Sequence, residues 1–172
     1  TARYVVRRGK LRELLGARLA CPAARVRLRQ NDYGKPLVEG GDLDFSLSHT
    51  GGLAFYAVAE DARLGCDIEW EDARLATREV AERFFSQTER MLLDALAPER
   101  RIQAFFNAWT RKEAFVKALG LGLSFPLDAF DVSLSPDEPA TLLAGPRGWT
   151  LRACEPVAGL HVALAIRRRD GP

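Results

Sequence analysis

The chain has 172 residues, of which 47% are hydrophobic and 28% charged, and its formal net charge is +2. This profile is typical of one globular domain, or of two small lobes that share a core, and it excludes a polyelectrolyte. The three cysteines form no CxxC pair, which argues against a disulfide framework or a zinc knuckle and favours a reducing, cytoplasmic location. The longest apolar run, 53–59, is too short to span a bilayer.

The first part of the chain predicts one helix followed by short strands. Apolar side chains recur at helical spacing over residues 2–19, with Arg between them. This helix has no N-terminal cap and the sequence has no initiator Met, so we expect that a segment preceding it is missing. The turn residues Thr50-Gly51-Gly52 favour a hairpin. The predicted strands are Val26–Leu28, Leu43–His49, Leu53–Ala59 and Leu64–Glu69, with a turn at 31–36.

The second part predicts helices first and strands last. Residues 69–83 have apolar spacing suited to a helix, and Ser86 to Glu89 form a capping box that opens another. Pro98 begins a long helix that stops at Gly120. Late strands are predicted at Phe130–Leu134, Trp149–Cys154 and Leu160–Ile166. Mixed strands and helices with hairpins predict an α+β fold rather than a doubly wound parallel sheet.

The predicted long helix carries an acid on its apolar face. Glu113 lies in the middle of the apolar stripe, and Lys117 follows four residues later at its edge. A carboxylate on such a face is costly unless it is paired or binds a metal. Spacing alone slightly favours a Glu113–Lys117 pair whose carboxylate reaches solvent. The stripe consists of Ile102, Phe105, Phe106, Trp109 and Val116.

Two further acids share one face of a predicted strand. Strand alternation places Asp67 and Glu69 together, opposite Leu64, Cys66 and Ile68. Two carboxylates at i and i+2 repel each other unless a cation lies between them, and magnesium suits such a site. A solvent-exposed polar face is the alternative. With Glu113 as a third misplaced acid, a three-carboxylate metal site becomes a reasonable hypothesis.

Polar residues near two turns suggest contacts with phosphate. Ser48 and His49 end a strand just before two glycines, where backbone N–H groups and side chains converge. A capping histidine in an ordinary hairpin is the alternative. Lys35 lies in the Gly34-Lys35-Pro36 turn. It either reaches a phosphate or is an ordinary turn residue without a ligand.

The first 29 residues are strongly basic. They contain eight Arg and one Lys against the single acid Glu13, so they suit a partner with phosphates or an acidic protein surface. Charge alone favours a solvated helix face. No nucleic-acid motif is recognisable and the net charge is small, so we expect neither a nucleic-acid partner nor a membrane.

These features, in this order, resemble the 4'-phosphopantetheinyl transferase superfamily, most closely its surfactin-synthetase-activating (Sfp-type) branch. That branch has a GKP turn, an SHS-like strand end, a (V/I)G(V/I)D(I/V)E strand and a W(S/T)xKE(A/S)xxK helix. The flanking stretches at 83–89 and 120–132 are similar too, so the resemblance covers nearly the whole chain. The matching segments are Gly34-Lys35-Pro36, FSLSHTGG at 45–52, LGCDIE at 64–69 and WTRKEAFVK at 109–117.

The resemblance implies transfer of phosphopantetheine from coenzyme A to a serine of an apo acyl or peptidyl carrier protein, with release of adenosine bisphosphate. It implies that Asp67, Glu69 and Glu113 bind magnesium. Glu113 is then also the general base for the carrier serine. It further implies that Lys117 contacts the pyrophosphate and protonates the leaving group. The carrier would present an acidic surface.

The resemblance also implies a binding site for coenzyme A as the co-substrate. Ser48 and His49 match a phosphate-contacting pair, and Lys35 matches the contact in the GKP turn. Arg8 matches an arginine that holds the ribose phosphate. Lys117 contributes to this site as well.

The implied architecture is two similar α+β lobes related by a pseudo-twofold axis, with the active site between them. The lobes are expected at 1–62, where coenzyme A binds and a segment is missing, and at 63–172, which holds the catalytic acids. We expect a monomer, or a chain completed by the missing segment. A rival reading is a binding module that holds coenzyme A or a carrier protein with little turnover, although a pure binding module has no need of Glu113 on an apolar stripe.

Overall fold

The structure is a computed structural model that describes residues 2–169, apart from the side chain of Leu123. It confirms the α+β class: antiparallel strands pair in small sheets and helices pack beside them. The helices are α1 (Ala2–Arg18), α2 (Arg78–Phe84), α3 (Gln87–Ala95) and α4 (Pro98–Leu119). The strands are β1 (Leu28–Gln30), β2 (Pro36–Val38), β3 (Asp44–Thr50), β4 (Leu53–Ala59), β5 (Ala62–Trp70), β6 (Asp131–Val132), β7 (Leu142–Ala144), β8 (Thr150–Val157) and β9 (Leu160–Arg168).

The first core lies between α1 and the β3–β4 hairpin. Strands β3 and β4 pair from Asp44↔Ala59 to Thr50↔Leu53, as the turn residues predict. Helix α1 buries Leu11 and Leu15, and β3 contributes the ring of Phe45. The buried members of this core are Leu11, Leu15, Val26, Val38, Leu43 and Phe45.

The second core lies between α4 and an antiparallel sheet with the order β5-β9-β8. Phe105, Phe106 and Phe115 of α4 are fully enclosed there. Helix α4 lies directly on β5 at Gly65, where an added Cβ would fall 2.2 Å from the Ala114 oxygen and 2.2 Å from the Ala118 nitrogen. The glycine of the LGCDIE segment is therefore required by this close approach of helix and strand.

Polar side chains join the two cores along the free edge of β5. The Asp44 carboxylate accepts hydrogen bonds from the Leu64 N–H (2.9 Å) and from the Lys35 ammonium (2.9 Å). The Ser46 hydroxyl accepts a bond from the Cys66 N–H at 3.0 Å. These side chains of β3 satisfy backbone donors that no neighbouring strand reaches. A division into pseudo-twofold lobes at 62/63 stays a prediction.

Three local expectations were inaccurate: the helix over 69–83, the strand at 26–28, and the strand at Phe130–Leu134, which spans only Asp131–Val132. The helix expected over 69–83 begins only at Arg78, because Asp72 folds the preceding chain into a turn and the Thr77 hydroxyl caps the Val80 N–H. The strand expected at 26–28 lies at Leu28–Gln30. Strands β2 and β7 went unrecognised because three residues are too few to show alternation. Within residues 2–169, no helix combines the length and the apolar character needed to cross a membrane.

Candidate active site

The three predicted acids line one cleft of about 350 Å³ between β5, α4 and the end of β3. Asp67 and Glu69 lie on the face of β5 that turns toward α4, as alternation predicts, and Glu113 faces them from the helix. Because Gly65 lets α4 approach β5 closely, acids distant in sequence come together. Ser48, His49, Trp109 and Lys117 complete the lining with Leu47.

Lys117 pairs with Asp67 and not with Glu113. Its ammonium lies 2.6 Å from Asp67 Oδ1 and donates to the Ser48 hydroxyl at 3.2 Å. Ser48 in turn donates to Asp67 Oδ1 at 2.6 Å. The Glu113–Lys117 helix pair that spacing favoured is therefore absent among the described ion pairs, so the Glu113 carboxylate is left without that partner.

The electrostatics of this cleft favour a bound cation. Burial raises the pKa of Glu113, and the charges of Asp67 and Glu69 raise it further against the opposing effect of Lys117. Burial and Asp67 likewise raise the pKa of Glu69, although a hydrogen bond with Thr50 opposes them. Asp67 Oδ2 is buried and has no hydrogen-bond partner among the described residues. An orphaned carboxylate oxygen beside two acids fits a divalent cation.

The ligand atoms of these acids are spread rather than gathered. Among the described residues, the trio whose ligand atoms all lie within 4.8 Å of one another is Glu71, Glu155 and His161. A spread set suits magnesium, which takes a few carboxylates and completes its shell with water and phosphate oxygens.

The Glu71, Glu155 and His161 trio is instead a hydrogen-bond network. Both ring nitrogens of His161 have partners, Asn107 Oδ1 at 3.0 Å and Glu71 Oε1 at 2.9 Å. Glu155 accepts bonds from the Gly159 N–H and from Gln103. Among the residues that the structure describes, no orphaned side-chain atom belongs to this trio, so it gives no sign of a ligand.

A second cleft, of about 410 Å³, opens between α1, the Gly34-Lys35-Pro36 turn, β3 and the end of α4. Arg8, Lys35, His49 and Lys117 line it, so the residues expected to contact coenzyme A are brought together. His49 and Lys117 also line the acidic cleft, so the two clefts adjoin at these side chains. Ser48 lies in the acidic cleft.

Lys35 has a structural partner that the sequence did not reveal. Its ammonium donates to Asp44 and, at 3.0 Å, to the Leu64 carbonyl. Its side chain is only 12% exposed. Neither of the two sequence readings of Lys35 anticipated this ion pair, which ties the GKP turn to β3 and β5; its contact with coenzyme A stays a prediction.

A third cleft, of about 390 Å³, lies on the other side of Glu113. Phe84, Phe125 and Leu127 give it apolar walls, and Glu113 and Lys117 are shared with the acidic cleft. Sequence reasoning did not identify this cleft, because its walls come from three separate segments.

Sequence reasoning also missed a buried ion pair behind the third cleft. Lys112 Nζ lies 2.8 Å from Glu89 Oε2, and these side chains are 1% and 0% exposed. Glu89 was recognised only as a member of the capping box, which the structure confirms. Lys112 lies seven residues after Phe105 and seven before Leu119, and that helical spacing was the available signal.

The turn that follows His49 in the chain packs on β5. An added Cβ on Gly51 would fall 2.7 Å from the Trp70 indole, and Gly51 has a φ of +52°. The indole therefore packs directly on the Thr50-Gly51-Gly52 turn. This contact holds His49 beside the acids of β5.

The chain is similar to proteins described as 4'-phosphopantetheinyl transferases. A family model described as the 4'-phosphopantetheinyl transferase superfamily matches residues 63–165. The 4'-phosphopantetheinyl transferase HetI of Nostoc sp. (strain PCC 7120) is 35% identical over 169 residues, which are 95% of this chain and 70% of HetI. The 4'-phosphopantetheinyl transferase Sfp of Bacillus subtilis (strain 168) is 34% identical over 128 residues, which cover 74% of this chain and 56% of Sfp.

A solved structure shares the fold. The ACPS-CoA complex of Chronobacterium ammoniagenes superposes with a TM-score of 0.51 at 17% identity, over 65% of this chain and 100% of that one. At this identity the likeness concerns the fold alone.

Proposed function

This chain belongs to the 4'-phosphopantetheinyl transferase superfamily, and on that premise we propose that it transfers the phosphopantetheine arm of coenzyme A to a serine of an apo acyl or peptidyl carrier protein. One observation carries the proposal. A single cleft gathers Asp67, Glu69, Glu113 and Lys117, and it adjoins the larger cleft lined by Arg8 and His49. Phosphoryl transfer needs this combination of anionic metal ligands, a cation and an oriented nucleophile.

Magnesium would be held by Asp67, Glu69 and Glu113. The orphaned Asp67 Oδ2 and the raised pKa values of the other two acids support this assignment. When bound, the ion would neutralise charge on the phosphate oxygens during transfer. Lys117, held by Asp67 and Ser48, places a second positive charge in the same cleft.

The serine Oγ attacks the phosphorus that carries the pantetheine arm, and the bond from this phosphorus to the bridging oxygen breaks. Glu113 takes the serine proton, a role suited to a carboxylate whose pKa is raised by burial. Lys117 faces the leaving phosphate and gives it a proton, so that adenosine 3',5'-bisphosphate leaves.

The 410 Å³ cleft would hold the nucleotide of coenzyme A. Arg8 and His49 line it and would contact phosphates, and Ser48 and Lys35 would act at its inner end. Because the ammonium of Lys35 is already paired with Asp44, its contribution would come mainly through the position of the GKP turn. The basic face of α1 suits an acidic carrier protein.

The test is to mix the protein with coenzyme A, magnesium and a panel of apo carrier proteins. Intact mass should show a carrier that gains one phosphopantetheine arm. Asp67→Asn should abolish this gain, whereas Glu60→Gln, which changes an exposed acid outside the clefts, should not. Coenzyme A binding without transfer to any carrier would instead support the binding module.

A further inference from the structure

The buried ion pair of Lys112 and Glu89 has no part in the proposed chemistry, yet it is fully bonded. The Lys112 ammonium donates to the Leu127 carbonyl and to the Phe130 carbonyl, both at 2.6 Å, and lies 4.1 Å from the centre of the Phe130 ring. Glu89 is the third partner, so each of the three N–H protons of the Lys112 ammonium has an acceptor.

Glu89 binds the chain on the other side of the same segment. Its Oε1 accepts the Val132 N–H at 2.8 Å, and its Oε2 accepts the Ser86 N–H at 2.9 Å. Lys112 and Glu89 together therefore fasten residues 127–132 to α3 and α4 through backbone atoms. Side-chain substitutions within the segment leave those backbone bonds in place.

The fastened segment borders the third cleft. Leu127 and Asp128 of this segment line it, with Phe125 just before them, opposite Glu113 and Lys117 of α4. Lys112 directly precedes Glu113 in the helix but points away from the acidic cleft into the core. Within one turn of α4, Lys112 therefore holds the wall of the third cleft and Glu113, the proposed general base, faces the acidic cleft.

The positions of the three clefts suggest what the third one holds. If the nucleotide occupies the 410 Å³ cleft and the phosphates reach Lys117, the arm must continue past Glu113. The third cleft shares Val116, Lys117 and Gly122 with the nucleotide cleft and has apolar walls. A narrow, largely apolar amide chain that ends in a thiol fits that lining.

We propose that Lys112 and Glu89 are positioning residues that fix residues 127–132, and with them the wall at Leu127 and Asp128 against which the pantetheine arm lies. The inference rests on the proposed function, because it needs coenzyme A in these clefts. A buried pair is not required for stability alone, since apolar residues of similar size serve as well or better. Beyond packing, the Lys112–Glu89 pair provides hydrogen bonds that hold the backbone of the cleft wall in place.

The test compares two ligands that differ by the arm, coenzyme A and adenosine 3',5'-bisphosphate, by calorimetry. The double variant Lys112→Met with Glu89→Gln removes both charges together, so neither is left buried and alone. We expect its affinity for the bisphosphate to stay within about twofold, and its affinity for coenzyme A to fall roughly tenfold, the scale of a lost pocket contact. Lys10→Met, at an exposed lysine of α1, should change neither.

An unchanged ratio of the two affinities in a folded double variant would overturn the proposal. If the double variant does not fold, the parent protein decides through the NMR signals of its 15N-labelled lysine ammonium groups. The buried Lys112 signal should shift with coenzyme A and stay in place with the bisphosphate; equal responses would also overturn the proposal. A parent protein that binds neither ligand would show a different failure, that of the proposed function itself.

Discussion

At the scale of single residues, Glu113 faces opposite demands from stability and from chemistry. Burial and the neighbouring acids raise its pKa, so its charged form is unfavourable in the metal-free protein. Lys117 stabilises the charged form of Glu113 only in part, because its ammonium is hydrogen-bonded to Asp67 and Ser48. A residue kept in this position is explained better by a function than by folding.

We predict that Glu113→Gln leaves the metal-free protein as stable or more stable and lowers turnover about a hundredfold, the usual scale for a lost general base. Because the folded pKa is raised, the stability that the acid contributes is present below its unfolded pKa and is lost as the pH rises through the folded pKa. The gain from the substitution should therefore be largest at neutral pH and vanish below the ordinary glutamate pKa of 4.5.

Thermal unfolding at several pH values and single-turnover transfer on the same preparations measure both effects. A Glu113→Gln variant with normal turnover would return this residue to a structural role. So would a loss of turnover that follows only from unfolding.

At the scale of elements, the site depends on the contact between α4 and β5. Gly65 permits this contact, and the acids of β5 meet Glu113 because the two backbones touch there. No side chain at position 65 is compatible with the observed distance between helix and strand, since the neighbouring atoms belong to the backbone and cannot rotate away.

Gly65→Ala is therefore expected to destabilise the fold by more than about 3 kcal/mol, beyond the usual cost of overpacking. Urea denaturation would measure the change. Gly9→Ala is the matched control, because an added Cβ on Gly9 meets nothing within 4 Å in the exposed part of α1, and replacing a helical glycine there should stabilise by about 0.5–1 kcal/mol. A neutral Gly65→Ala would mean that helix and strand lie further apart than described.

At the scale of the whole molecule, Asp44 joins the two cores. It binds Lys35 of the GKP turn, the Leu64 N–H of β5 and its own neighbour Phe45 N–H. Asn31 adds a second connection by donating to the Gly120 carbonyl at 2.7 Å. The clefts lie along this junction, so its rigidity governs how the nucleotide cleft meets the acids.

Asp44→Asn should destabilise the protein by about 3–5 kcal/mol, because it leaves the Lys35 charge without its buried partner. Asp42→Asn is the control: Asp42 is 80% exposed in its pair with Arg169, and such a pair contributes at most about 1 kcal/mol. Chemical denaturation followed by fluorescence and by circular dichroism would measure both. Equal effects of the two substitutions would contradict the role of Asp44 at the junction.

Much of the fold was predictable because its signals are local. The capping box at Ser86–Glu89, the Pro98 start and Gly120 end of α4, and the hairpin at Thr50-Gly51-Gly52 all depend on residues within one turn of each other. The α+β class followed from the order of these elements, and the motifs identified the family.

The sequence by itself also determined which acids gather: strand alternation and the helical stripe placed Asp67, Glu69 and Glu113 on faces that proved to meet. Only the tertiary structure decided the pairing of the charges. Lys117 binds Asp67 rather than Glu113, Lys35 binds Asp44, and Lys112 is buried against Glu89. Periodicity fixes the direction of a side chain within its own element, whereas an ion pair also depends on how closely two elements pack, and that distance is set here by Gly65 and the cores around it.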